Sequence, residues 1–429
     1  MSLHIIWANE VETPNGTEVL IPTQKRFYRT YLRHEAAMHA LFAYCWSVMA
    51  RLHPHNKDLY YRRALEHEIR VTSVLQPLLA SLSSTPDNID AALQTVALLC
   101  SAALFRSRFE AAFMHLKGLK EIIRYLGGIN KLHWLRKDHL IFLVVRVAAN
   151  TRTRPILHPA SWDPGSWSEQ NKTKAAGRLA LGGPPEDLYR WSNRGIQHST
   201  DVLSDIFAAL RELVEVDPLK PTLVNGEQGE TSRLFRWSQL RRQAVRARIL
   251  NHWCDLTEPT RAVDPSTTTF PTPTRVHHAS IAMCLCLAVQ VFVAFGLEAS
   301  LLKQDWVSTI QIWHIMLLRC IHKLGFDIER IDCSRDGACD LLWICAIGAF
   351  VEDAYLPMVL RDKPTFWIPY DADEVDTRWF SVRFGVLARR IGYEDYDGVA
   401  ATFEQRYVHI PALQDEALSR LFNFGWSTS

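Results

Sequence analysis

His34, Glu35 and His39 are the first residues in this chain whose types suggest a metal hydrolase. A zinc-binding helix of that kind needs two histidines four residues apart, so that both imidazoles leave one face. Here the spacing is five, which turns the second ring about 140° round the axis and out of reach. The cysteines give no better centre. Nine are present, and none forms a C-x-x-C pair. Cys284 and Cys286 would point about 200° apart on a helix, and Cys333, Cys339 and Cys345 repeat at a spacing that leaves one face. The sequence therefore predicts no metal and no cofactor, and the thiols read as reduced, buried side chains of a cytosolic or nuclear protein.

Two charged clusters remain. Asp371, Asp373, Glu374 and Asp376 could hold magnesium and a diphosphate. They lack paired aspartates at a helical step, and no second metal motif follows. Acids placed at a helix N-terminus, where the dipole favours them, explain them as well. Arg236, Arg241, Arg242, Arg246 and Arg248 form the dense basic run. One reading is a nuclear-import or phosphate-contacting helix. The other is a solvated face with Leu240, Val245 and Ile249 packed inward. No Gly-rich phosphate loop, nucleophile elbow or triad spacing occurs, so no reaction is expected of the chain.

Composition sets the frame for these residues. The chain has 429 residues, 48% of them apolar and 10% aromatic, enough for a sizeable core. Its 48 basic and 46 acidic side chains leave a net charge of +2. Such a balance gives no general attraction to nucleic acid or anionic membranes. Met1 to Glu10 show no signal-peptide pattern. Ala279 to Leu297 carries no charge and is long enough to span a bilayer, but its small side chains and Gln290 fit a buried central helix better.

The elements that must position these residues are helices. Residues 1–24 read as an irregular arm. Residues 25–429 read as one all-α domain, an irregular bundle of about a dozen antiparallel helices with repeat-like hairpins in the N-terminal third. Pro77 is expected to bend or interrupt its helix. Thr85-Pro86-Asp87 supplies a helix start, with Thr85 as N-cap. Residues 153–186 form a Pro/Gly-rich loop in which Trp162 and Trp167 are expected to be exposed. No alternating apolar runs predict strands.

One helix is more specific. Phe109, Phe113, Leu116, Leu119, Ile123 and Leu126 share one face, with Lys117, Lys120, Glu121 and Arg124 on the other. Lys117 and Glu121 are spaced to pair. Gly127-Gly128 then stops the helix. This stretch, with its His115-Leu116-Lys117-Gly118 step and Gly-Gly end, resembles the regulatory middle homology domain of fungal zinc-cluster transcription factors. Arg33 to Leu52 followed by Tyr60-Tyr61-Arg62-Arg63-Ala64-Leu65 is similar to that family's opening helix pair. Leu341-Leu342-Trp343-Ile344-Cys345-Ala346-Ile347-Gly348 resembles its Leu-Trp helix. Together these run from about Arg26 to Phe424.

The resemblance implies a transcription-regulator-like protein acting in the nucleus, with cytoplasm as a second compartment. The six thiolates that the family's binuclear zinc module requires have no counterpart in this sequence. The chain is then expected to work through other transcription regulators or a separate DNA-binding protein, without membrane insertion and without reading DNA sequence itself. A homodimer and a small-molecule effector are further expectations of the resemblance. The alternative is an all-α small-molecule-binding protein or metabolic enzyme with an aromatic pocket.

Overall fold

The computed structural model describes residues 31–80, 86–132, 134–167, 199–216, 228–258, 273–297, 306–323, 335–354 and 378–424. The arm at 1–24, Thr85, Cys333, the acidic cluster at 371–376 and residues 168–186 of the Pro/Gly-rich loop lie outside them. Among the described residues every regular element is helical, as expected, and they fall into two compact units divided between Pro164 and Gly165.

The first unit begins with α1 (Glu35–Leu52), α2 (Lys57–Ala80) and α3 (Pro86–Phe105). α1 packs against both α2 and α3. Its alanines make this approach close: Ala36, Ala37, Ala40, Ala43 and Ala50 are all buried. Ala37 and Ala40 meet Val71 of α2 and Leu98, Leu99, Ala102 and Phe105 of α3 around Tyr44. α3 is buried on nearly every side. Its hydroxyls avoid an unmet polar cost by donating back along the helix, Thr95 to Ala91 O and Ser101 to Ala97 O. α2 is the opposite case, with only Ala64 and Val71 buried. Pro77 does not interrupt it; the helix runs unbroken to Ala80. Both Pro77 and Ser73, whose carbonyl the missing N–H would have engaged, are exposed, so water can satisfy that carbonyl.

α4 (Phe109–Tyr125) and α5 (Trp134–Thr151) complete this unit by packing on α3 and on each other. The outer face of α4 pairs differently from the expected Lys117–Glu121 bridge. Glu121 meets Arg124 at 2.6 Å, and Lys117 lies over the Phe113 ring at 4.9 Å. Arg136 of α5 pairs with the Asp90 carboxylate of α3 and donates to its carbonyl. Trp162 is buried, not exposed as its Pro-rich setting suggests. It is 2% exposed, with the indole N–H directed to Leu157 O.

The second unit contains α6 (Ser199–Val216), α7 (Gln228–Thr257), α8 (Pro273–Phe292), α9 (Trp306–Lys323), α10 (Arg335–Ala354), α11 (Trp379–Ile391), α12 (Tyr396–Arg406) and α13 (Pro411–Phe424). α8 continues into a π-helical turn, Val293–Leu297. α8 packs on α7, α9 and α10, and α10 packs in turn on α11 and α13. Among the described residues two stretches, Asp87–Phe105 and Ala279–Leu297, are long and apolar enough to cross a membrane, and both are 83% buried inside the protein.

Candidate functional site

Of the family-like residues of the first unit, His115 and Gly118 lie in the middle of α4, and Gly127 and Gly128 just past its C-terminal end. His115 is half-buried, and burial first, then Arg106 and Arg108, lowers its pKa. Gly118 is exposed, and a Cβ there would meet only Val96 Cγ1 at 3.9 Å. The Gly-Gly stop is built as its sequence requires. Gly127 donates to Arg124 O at 3.0 Å and Gly128 to Ile123 O at 2.9 Å, the paired bonds of a Schellman cap. Gly127 has φ +85° and Gly128 φ +108° with ψ 167°, a region in which essentially only glycine is at ease.

The corresponding residues of the second unit lie at its centre. Leu342 and Trp343 are fully buried on α10. The Trp343 indole N–H donates to Val408 O at 3.1 Å. Its ring stacks on Tyr407 at 5.6 Å and meets the edge of Phe207 at 5.0 Å. Tyr407 is fixed in turn by donating to Asp340 Oδ1 at 2.6 Å, while its carbonyl accepts from Arg211. Gly348 lies under the Phe380 ring of α11, where a Cβ would sit 2.3 Å from Cγ. This glycine is needed for close approach, not for a left-handed turn.

The arginine run does not form a solvated face. Arg241, Arg242 and Arg246 are buried on α7, at 8, 3 and 2% exposure, among Leu240, Ala244, Val245 and Ile249. Arg236 and Arg248 are half-buried. Acceptors from other elements reach the guanidinium groups. Arg242 donates to Leu297 O at the end of the π-helical turn and to Ser238 O. Arg246 Nε donates to Gln290 Oε1 at 3.2 Å, and Gln290 Nε2 donates back to the Arg246 carbonyl at 3.2 Å. Arg241 Nε lies 3.7 Å from Glu212 Oε2, and the other oxygen of Glu212 accepts from Trp167 N–H. Trp167 is half-buried against Trp237 of α7. Buried guanidinium groups present no face to a polyanion, so these three are packing and linking residues between α7, α8 and α6.

Sequence reasoning missed the carboxylate that organises α11. Glu352, near the end of α10, is 5% exposed and accepts from the Phe380 and Ser381 N–H groups and the Ser381 hydroxyl at 3.0, 2.7 and 2.6 Å. It caps the N-terminus of α11 from a different helix, where the dipole favours an anion. His314 of α9 lies 3.6 Å from the same carboxylate. No sequence signal links Glu352 to a helix start 27 positions later. His67 was missed in the same way. It meets His39 with 3.0 Å between their Nδ1 atoms.

The described thiols are free. Burial raises the pKa of Cys100 and Cys345 to about 12 each. Among the described residues no three His, Cys, Asp or Glu side chains converge as a metal site would need.

No curated protein and no solved structure matches this chain. Residues 13–151, about a third of it, match the model of one family, the fungal specific transcription factor domain. The matched segment includes His115, Gly118, Gly127 and Gly128 and excludes the Trp343 helix. Over residues 13–151 the chain is similar to the fungal specific transcription factor domain, the family that its His-Leu-x-Gly helix and Gly-Gly stop resemble.

Proposed function

We propose that this chain is a transcription regulator whose helical domain acts through other proteins and does not read DNA sequence by itself. The family match at residues 13–151 carries this reading. Two features support its finer part. The densest arginine run is folded into the interior of α7, so it does not offer the exposed basic helix that phosphate binding uses. On the first unit, α2 leaves Leu59, Leu65, Ile69 and Leu79 at 38 to 70% exposure, apolar surface suited to a protein partner. The partners we assign are other transcription regulators or a separate DNA-binding protein. A second copy of the chain and a small-molecule effector are alternative inputs to the same domain. The nucleus is the compartment this role requires. We assign the chain no reaction.

A gel-shift competition with the purified chain tests the DNA half of the reading. At about physiological salt, specific binders prefer their site over scrambled DNA by ~10³ or more. The chain is expected to show no such preference for any sequence recovered by selection from a random pool. Recovery of a motif bound with that discrimination would overturn the proposal.

A further inference from the structure

α2 is held to its unit by little buried apolar surface, since Ala64 and Val71 alone are buried along its 24 residues. Polar and aromatic contacts supply the rest. Tyr60 stacks on Trp46 of α1, and Glu68 pairs with Arg106, just past the end of α3. Between Ala64 and Val71 stands His67. Its Nδ1 lies 3.0 Å from Nδ1 of His39 on α1, and its ring packs on Phe42 with centroids 5.1 Å apart. His39 is buried, and its other nitrogen, Nε2, lies 3.6 Å from Glu35 Oε1.

This geometry limits how many protons the pair can hold. A bond between two Nδ1 atoms needs one to donate and the other to accept. Glu35 beside Nε2 suits the tautomer in which His39 carries its hydrogen there and accepts from His67. A first added proton can enter at the outer nitrogen of His67 with the bond intact. A second must take the accepting Nδ1, which breaks the bond and leaves two cations in contact. We propose that the His39–His67 pair is a proton-operated clasp between α1 and α2, closed while it holds at most one added proton and released by the second.

The surroundings fix the sign. Burial, His39, Arg70 and Arg63 lower the pKa of His67, while Glu66 acts against them. From α1 the facing groups are Glu35 and His39. Arg106, just past the end of α3, reaches the neighbouring Glu68. The closed state therefore favours neutral His67, whereas an opened α2 takes up protons near the ordinary value of about 6.5. The clasp holds above that value and loosens as pH falls through it. Glu68 has the opposite linkage, because burial raises its pKa despite Arg106.

Hydrogen exchange read by mass spectrometry on the full chain tests this, with rates corrected for the intrinsic effect of pH. Between pH 7.5 and 5.5, protection of residues 57–80 should fall about fivefold relative to residues 86–125. His67→Gln and His39→Gln should each remove most of that dependence, and Glu68→Gln should keep it. NMR of the wild-type chain gives a readout that needs no variant: the His67 ring should take up its proton below the ordinary histidine value. Equal pH dependence in the two segments, a His67 ring that protonates at or above the ordinary histidine value, or a His67→Gln chain that keeps the wild-type dependence would overturn the clasp.

Discussion

Gly127 and Gly128 differ from Gly118 in what they demand of the chain. Both of the former have positive φ, whereas Gly118 is an ordinary helical residue beside an open Val96 contact. Gly127→Val and Gly128→Val should therefore each lower unfolding free energy by about 1–3 kcal/mol. Gly118→Ala should raise it by about 0.5–1 kcal/mol, since alanine is the better helix former. Gly348 belongs to a third class. A single methyl there drives into the buried Phe380 ring, and Gly348→Ala should cost about 2 kcal/mol or more. Denaturant titrations of the four variants check this ranking. The Gly-Gly stop was legible in the sequence because a local rule governs it. The role of Gly348 was not, because Phe380 comes 32 positions later in the chain.

At the scale of elements, α7 shows where binary patterning misleads. Reading arginine as solvent-facing places Arg241, Arg242 and Arg246 outside, yet α7 is surrounded by α6 and α8 and buries all three. Arg241 lies near Glu212, and the acceptors of Arg242 and Arg246 include Leu297 O and Gln290 of other elements, which nothing near residue 246 announces. Arg246→Ala should lower stability by about 3 kcal/mol, because it strips a buried polar network of one partner. Replacing Arg241, Arg242 and Arg246 together by Gln should appear as loss of folded protein by circular dichroism before any change in nucleic-acid affinity is readable. Glu352 acts between elements in the same way. Glu352→Gln should destabilise by about 1–2 kcal/mol, since the amide keeps the size but cannot accept with the strength of a carboxylate at three donors. A normal thermal midpoint for that variant would show that α11 does not depend on its cap. Helix existence, by contrast, was readable almost throughout, because apolar residues repeat at three- and four-residue steps from α1 to α13. Trp162 departed from expectation, and α2 runs through Pro77 without interruption, both for local reasons. The indole of Trp162 found a carbonyl acceptor inside its turn, and Pro77 lies on an exposed face where a lost hydrogen bond costs little.

At the scale of the whole molecule, the described residues form two helical units, and the family match covers only sequence before the division at Pro164. The first unit holds the capped α4, the exposed α2 and the paired histidines. The second holds the buried arginines and the Trp343 aromatic centre. Neither unit brings together, among its described residues, three metal-ligating side chains. Both units present helical surface, which suits the proposed regulator that works by contact. The most direct measurement is transcriptional. The full chain is fused to an unrelated DNA-binding module in a fungal cell that carries a reporter with that module's site. The account predicts that the fusion changes reporter output relative to the module alone, and that Gly128→Val, by unsettling the end of α4, reduces the change. Output equal to that of the module alone, with the folded fusion present in the nucleus at normal level, would contradict it.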